Sequence, residues 1–115
     1  MTDGSLSAND QALASRLDQD GYLRDHAAWT PQIATELAAL EHIQLGAEHW
    51  RIITLLRDFY ARTDIAPAMR PLVKLTQAEF GADIGNSAFL MRLFGGSPAK
   101  MAAKIAGLPR PTNCI

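Results

Sequence analysis

Residues 48–60, EHWRIITLLRDFY, carry the clearest periodic pattern in the chain. Their apolar side chains recur at the i, i+3, i+4, i+7 and i+8 spacing that places residues along one face of an α-helix. These side chains are Ile52, Leu55, Leu56, Phe59 and Tyr60. Glu48 precedes them, where a carboxylate favours the positive end of the helix dipole. The stretch therefore predicts a helix that buries one face in a core.

The segments on either side continue the helical pattern. Towards the N-terminus, Thr30 suits a helix cap and Pro31 suits the first helical position. Apolar residues follow at helical spacing: Ile33, Leu37 and Leu40. Towards the C-terminus, a third helix is predicted to hold Leu72, Val73, Thr76 and Phe80. Pro71 lacks a backbone donor, so this helix should begin near Arg70 rather than at Pro67.

Two shorter helices complete the pattern. Asn86 or Ser87 should cap a fourth helix that is rich in phenylalanine and leucine. The stretch SPAKMAAKIAG then forms a complete unit, in which Ser97 is a capping residue, Pro98 suits the first turn and Gly107 suits the end. The sequence therefore predicts a mainly α fold, a small bundle of about five helices joined by short polar loops.

The first part of the chain is less regular. Residues 1–17 are polar and small and show no firm period. Asp20 and Gly21 are a turn signal, and Tyr22 and Leu23 favour the start of a short strand. We therefore expect a variable lead-in at residues 1–17, and at most a short N-terminal β-hairpin after it.

The composition limits the classes of function. The 115 residues carry a net charge of −1, which gives no global attraction to nucleic acid or membranes. No apolar run is long enough to span a bilayer, and the start lacks the pattern of a signal peptide. The single cysteine cannot form an internal disulfide or a cysteine-rich metal site. We expect a cytoplasmic protein whose thiol stays reduced.

That cysteine, Cys114, is the penultimate residue and follows two prolines, Pro109 and Pro111. Prolines cannot continue a helix and favour extended backbone, so residues 108–115 are predicted to form an arm beyond a helical core domain at residues 18–107. Such an arm could carry the thiol on the order of 20 Å from the helix end. An inert residue on a frayed terminus is the plain alternative.

Five basic residues are candidates for a surface that docks the arm, an acidic partner surface or tRNA phosphate. They are Arg70, Lys74, Lys100, Lys104 and Arg110. Folded back, the arm could bring Cys114 near the last three, whose charge would offset the nearby Ile115 carboxylate and favour the reactive thiolate. The alternative is scattered surface charge, because solvated lysines and arginines are common on any helix.

Three histidines, His26, His42 and His49, raise the question of a metal. Their spacings match no common ligand motif and no companion cysteine cluster is present, so we predict no metal site.

Several stretches resemble the TusE/DsrC family of small sulfur-carrier proteins. They are DQDGYL, Trp29, EHWRIITLLRDFY, APAMRPLVK, GNSAFLMRLF, SPAKMAAKIAGLP and the ending NCI, and they occur in family order from Asp18 to Ile115. Gly46 and Ala66 depart from the pattern, standing where a Ser or Thr cap is expected. The resemblance implies a helical bundle with a helix-turn-helix-like core and a small N-terminal β-hairpin.

The resemblance also implies the chemistry. Cys114 would act as the catalytic residue of a sulfurtransferase that carries sulfur as a persulfide. The sequence looks closest to the TusE branch, because the second cysteine of DsrC proper is replaced by Ala103. This implies a TusBCD-like sulfur donor and, as acceptor, an MnmA-like tRNA thiouridylase with or without bound tRNA, for 2-thiouridine at the wobble position. The implied thiol exchange uses no metal and no organic cofactor.

Two alternatives stay open at this point. The first is a DsrC-like carrier in sulfur oxidation or another pathway linked to dissimilatory sulfite reductase. The second is a non-catalytic binding or regulatory protein that uses a helix-turn-helix surface. The second alternative is weakened by the presumed recognition helix, which has one basic residue, Arg92, and much apolar surface.

Overall fold

The computed structural model describes residues 13–111, which contain five α-helices and a short 3₁₀ helix. The α-helices are α1 (Pro31–Leu40), α2 (Ala47–Thr63), α3 (Met69–Phe80), α4 (Ser87–Phe94) and α5 (Pro98–Ile105). The 3₁₀ helix, His26–Ala28, precedes α1. The predicted mainly α fold is confirmed, and each predicted helix is present.

The last helix, α5, lies among the others and contacts α1, α2, α3 and α4. Its buried residues are mostly small: Pro98, Ala99, Ala102, Ala103 and Ile105. Because the distance between packed helices depends on the side chains at the contact, these alanines allow close approach on several sides. Larger residues of the neighbouring elements complete the core, among them Leu37, Ile52, Leu56, Leu72 and Phe94.

The helix starts agree with the capping predictions in two cases and differ in one. Thr30 Oγ1 accepts a hydrogen bond from Ile33 N at 3.2 Å, and Asn86 Oδ1 accepts one from Phe89 N at 2.8 Å. Ser97 occupies the N-cap position of α5, but its side chain makes no capping bond. Its ψ of 72° departs from the extended backbone that lets a capping side chain reach the first turn.

The two departures from the family's capping pattern have different outcomes. Gly46 is the N-cap of α2, and its N–H donates to His49 Nδ1 at 3.0 Å, so a histidine supplies a partner at this helix start. Ala66 is not a cap: it is buried in the core, and the N-cap of α3 is Ala68.

Helices α3 and α4 form the predicted helix-turn-helix-like unit. Gly85 lies in the turn, where a Cβ atom would overlap the backbone of Gln77 in α3, and Gln77 Nε2 donates to the Gly85 carbonyl at 3.2 Å. Helix α4 buries Leu90 and Phe94, and its basic residue is Arg92. This helix is built for packing and lacks the basic stripe of a nucleic-acid recognition helix.

The expected N-terminal hairpin is reduced to one antiparallel bridge between Leu17 and Leu23. Two further backbone bonds, Asp18 N to Tyr22 O at 2.8 Å and Arg24 N to Arg16 O at 2.9 Å, close the turn. Within residues 13–111 this pairing does not extend into strands. Before the bridge, Arg16 N donates to Leu13 O and Leu17 N to Ala14 O in helical turns, and after it Asp25 already caps the 3₁₀ helix.

The end of α5 is a Schellman motif. Leu108 N donates to Ala103 O at 2.9 Å, and Gly107 N donates to Lys104 O at 3.1 Å, which is the paired bond pattern of this C-cap. Gly107 has φ of +72°, so it occupies the left-handed region that favours glycine. A Cβ atom at this position would also overlap the Trp29 ring. Gly107 is therefore required both by the backbone and by the contact with Trp29.

We predict that Gly107→Ala lowers the free energy of unfolding by about 3 kcal/mol, because it adds left-handed backbone strain to a clash with Trp29. The measurement is chemical denaturation of the full chain. Gly96→Ala is the matched control, because its added Cβ meets open space without positive φ, and its effect should stay within about 0.5 kcal/mol. Equal stability of the two variants would contradict this account of Gly107.

Candidate functional site

The predicted catalytic residue, Cys114, lies outside the described residues. The structure does describe the first part of the arm, up to Pro111, which precedes the cysteine by three positions. Leu108 and Pro111 are buried and Pro109 is half-buried, whereas Arg110 is exposed. The beginning of the arm therefore packs against the core.

Arg110 holds this part of the arm to the N-terminal turn. Its guanidinium forms an ion pair with the Asp20 carboxylate and lies 5.7 Å from the centre of the Tyr22 ring. Both charged side chains are about half exposed, so the ion pair alone contributes little, on the order of 0.5 kcal/mol. The buried prolyl ring of Pro111 adds an apolar contact that solvent does not screen.

Lys104 also approaches the Tyr22 ring. Its Nζ is 5.4 Å from the Tyr22 ring centre and 3.4 Å from Glu41 Oε2. The Tyr22 hydroxyl donates to the Lys100 carbonyl at 3.4 Å. Tyr22 therefore joins the turn, helix α5 and the arm at one place.

A cavity of about 350 Å³ opens at this place and is lined by Tyr22, Ser97, Lys100, Met101, Lys104 and Arg110. It brings together three of the five basic residues that the sequence singled out. The other two, Arg70 and Lys74, are exposed on α3 and do not line this cavity. We call the lining residues Lys100, Lys104 and Arg110, with Tyr22, the cationic cavity.

The turn that supplies Asp20 and Tyr22 is organised by Asp18. Its Oδ1 accepts hydrogen bonds from Tyr22 N and from Asp20 N, both at 2.9 Å. The pKa of Asp18 lies below its usual value, mainly because its carboxylate accepts the hydrogen bond from Tyr22 N. Desolvation opposes this effect, whereas the bond from Asp20 N and the charges of Arg24 and Arg110 add to it. The ionised carboxylate therefore favours the turn.

Three side chains that sequence reasoning did not assign to the site bind the end of α5. Trp29 Nε1 donates to the Ile105 carbonyl at 2.9 Å, Arg57 Nη1 donates to the Ala106 carbonyl at 2.7 Å, and His26 Nδ1 donates to the Gly107 carbonyl at 2.9 Å. We call Trp29, Arg57 and His26 the carbonyl clamp. The clamp lies where the arm leaves the core.

One signal in the sequence could have identified Arg57. Trp50, Ile53 and Tyr60 recur at helical spacing and share a face of α2. Arg57 lies on the same face, so a charged residue stands among apolar ones. Its guanidinium lies 4.1 Å from the Trp29 ring centre, and burial lowers its pKa from the usual range. An arginine pKa is so high that the group keeps its charge.

The histidines considered as metal ligands have other contacts. His26 belongs to the carbonyl clamp, and His49 Nε2 donates to the Leu93 carbonyl at 2.8 Å while its Nδ1 accepts from Gly46 N. His42 is exposed. Within residues 13–111, no three His, Cys, Asp or Glu side chains are grouped so that they could hold a metal ion.

Comparison with known proteins identifies the family. The family model described as DsrC like protein matches residues 9–115, nearly the whole chain, so this protein belongs to the DsrC-like family. The chain is 47% identical over 98 residues to Sulfurtransferase TusE of Salmonella paratyphi A, and 46% identical to that of Escherichia coli K12. Each match covers 85% of this chain and 90% of the relative. The predicted family and the predicted sulfurtransferase class are confirmed.

Solved structures agree with this result. The NMR structure of Allochromatium vinosum DsrC has a TM-score of 0.79 at 42% identity, covering 86% of this chain and 88% of that one. The crystal structure of the oxidised γ-subunit of dissimilatory sulfite reductase (DsrC) from Archaeoglobus fulgidus has a TM-score of 0.76 at 42% identity, covering 87% and 91%. The helical fold is therefore shared with DsrC proteins. Among the described residues, no helix is long and apolar enough to cross a membrane.

We predict that Asp18 makes the stability of the protein depend on pH in the acid range. Because its folded pKa is lowered, its contribution is present above the ordinary value of 3.8 and is lost as the pH falls through the folded pKa. Denaturation midpoints of wild type and Asp18→Asn, measured at pH 7 and near pH 2, should differ at the higher pH and converge at the lower one. A difference that is constant with pH would show that the carboxylate charge is not involved.

Proposed function

We propose that this protein carries sulfur as a persulfide on Cys114. The Cys114 thiolate attacks the outer sulfur of a donor persulfide, so a new sulfur–sulfur bond forms at Cys114 and the donor's sulfur–sulfur bond breaks. The donor cysteine leaves as a thiolate, which takes up the one proton that the Cys114 thiol lost when it ionised. The step is then repeated with Cys114 as the donor. Oxidation states balance, so neither an external oxidant nor a cofactor is required.

The observation that carries this proposal is the position of the single thiol in a family of sulfur carriers. Cys114 follows the buried Pro111 by three residues, so chain length limits the distance between their Cα atoms to about 11 Å. The thiol is therefore tethered near the cationic cavity and yet separated from the core by a short arm. This arrangement suits a group that must enter a partner's active site.

The basic residues have two roles in this proposal. Lys100, Lys104 and Arg110 favour anionic groups beside the arm, either the thiolate itself or the acidic rim of a partner. Arg70 and Lys74 extend the positive surface along α3 and would contact a partner only at its periphery. Residues 18–107 act as the core domain and residues 108–115 as the arm, with residues 1–17 as a variable lead-in.

The name that the relatives share supports a proposal for the partners and the pathway. We propose a TusBCD-like complex as the sulfur donor and an MnmA-like thiouridylase, with or without bound tRNA, as the acceptor. The product would be 2-thiouridine at the wobble position of tRNA, in the cytoplasm. The TusE relatives at 46–47% identity support this choice.

A DsrC-like carrier in sulfur oxidation is the second candidate, and the similarity to solved DsrC structures favours it. The sequence resemblance weighs against it, because the second cysteine expected for that subgroup is replaced by Ala103. Ala103 is buried in α5, and the chain has a single cysteine, so a disulfide within the chain is not available as an intermediate. The acceptor that discharges the persulfide distinguishes the two pathways.

The first test is the transfer of sulfur. Incubation with a persulfide donor, such as a cysteine desulfurase relay, should add one sulfur atom to the intact mass of the wild type, and reductant should remove it. Cys114→Ser should gain none. If a donor that is active on a known acceptor adds no sulfur to the wild type, the carrier proposal is wrong.

The cationic cavity gives a second prediction. Lys100 is exposed and, within residues 13–111, forms no ion pair, so Lys100→Glu should leave the fold intact. It should slow loading from the donor about two- to fivefold at low salt, and the difference should shrink as salt rises. Arg92→Glu reverses an exposed charge on α4 and is the control. Equal effects of the two variants would mean that net charge, not this cavity, governs loading.

A further inference from the structure

We propose that the carbonyl clamp of Trp29, Arg57 and His26 is a positioning device that sets the direction in which the arm leaves the core. The inference rests on the proposed carrier function, since the arm delivers Cys114 to its partners. The clamp residues do not touch the thiol chemistry themselves; they act through the backbone that joins α5 to the arm.

The hydrogen bonds at the end of α5 form a continuous series. The carbonyls of Ala102, Ala103 and Lys104 accept from the backbone N–H groups of Ala106, Leu108 and Gly107. The next three carbonyls, of Ile105, Ala106 and Gly107, accept from the three clamp side chains. Each carbonyl from residue 102 to residue 107 therefore has a protein donor, whereas most helix ends leave their last carbonyls to water.

The clamp residues come from distant parts of the chain and support one another. Trp29 and His26 belong to the segment before α1, and Arg57 belongs to α2. The Arg57 guanidinium stacks on the Trp29 ring, and its Nη2 lies 3.4 Å from the His26 carbonyl. Three donors that converge on consecutive peptide groups fix the orientation of those peptide planes, and one donor alone would not.

Arg57 is a costly way to stabilise a helix end. It is partly buried, and within residues 13–111 it forms no ion pair with a carboxylate. Its burial removes water from a charge that is then satisfied by carbonyl oxygens and an aromatic face. The Schellman motif already closes α5, so the additional donors act mainly on the residues where the arm begins.

Fixing the peptide planes at residues 105–107 restricts the arm beyond them. Leu108 and Pro111 are buried, and Pro109 and Pro111 each have a fixed φ, so the direction set at the clamp is carried along the described part of the arm to Pro111. An arm that leaves in one direction loses less conformational entropy when a partner binds it. The clamp should therefore affect how readily partners capture the arm, and not the chemical step.

The first experiment measures the arm directly. Cys114 is the only cysteine, so a thiol-specific nitroxide labels that residue alone, and its spectrum reports local mobility. Arg57→Met keeps the length of the side chain but removes its donors and charge, and we expect a more mobile label. Arg57→Lys retains the charge and one donor group and should fall between wild type and Arg57→Met.

Arg62→Met is the matched control, because it removes a guanidinium from the same helix that contacts an aromatic ring, Phe59, but not the arm. It should leave the spectrum unchanged. If Arg57→Met fails to fold, Trp29→Phe tests the same proposal, since it removes the donor to the Ile105 carbonyl and keeps an aromatic ring.

The second experiment separates positioning from chemistry. In sulfur loading from a partner, Arg57→Met should raise the half-saturating concentration about fivefold and leave the maximal rate within about twofold. In Arg57→Met, iodoacetamide should alkylate Cys114 at the wild-type rate, because the clamp does not take part in the chemistry of the thiol. A lower unfolding midpoint with unchanged label mobility and unchanged half-saturation would overturn the proposal and leave a purely structural role. If the wild type gains no sulfur at all, the carrier function fails, and the label mobility alone still decides whether the clamp orders the arm.

Discussion

The contact between Trp29 and Gly107 is the constraint on which this structure depends. The indole ring lies where a Cβ atom of residue 107 would be, supports the Arg57 guanidinium on its face, and donates from its nitrogen to the Ile105 carbonyl. One side chain therefore sets the conformation of the helix end, the position of a partly buried cation and the start of the arm. Loss of the glycine would disturb all three together.

The position of α5 gives that constraint its functional meaning. A helix that ends in a reactive arm could have been attached at the edge of the bundle, where it would fray. Here it contacts the four other helices, and its alanines are buried on several sides. The base of the arm is consequently attached to a buried helix, and Leu108 and Pro111 are themselves buried. A carrier benefits from this arrangement, because a fixed base and a short tether raise the effective concentration of the thiol at a docked partner.

The sequence predicted what depends on local periodicity and missed what depends on distant contacts. Apolar spacing identified the helices, and Thr30 and Asn86 were correctly assigned as caps, because each acts within one turn of its own helix. The short hairpin is reduced to a single bridge, because the chain is in helical turns before Leu17 and caps the 3₁₀ helix at Asp25. Arg57 and His26 were not assigned to the arm, because their partners lie 49 and 81 positions away along the chain. Lys100, Lys104 and Arg110 line one cavity because two share a helix face and the third follows that helix, whereas Arg70 and Lys74 do not line it, and a docking role for the five stays a prediction.

The electrostatics of the cationic cavity explain why a carrier and not a hydrolytic nucleophile is expected. Two of its three cations are already paired, Lys104 with Glu41 and Arg110 with Asp20, so the field that reaches the arm is close to that of one charge. The cavity therefore offers little unpaired positive charge, whereas a self-sufficient cysteine nucleophile needs nearby cations or a base to ionise it. We expect the remaining activation to come from a bound partner, so that the specificity of sulfur transfer belongs to the complex.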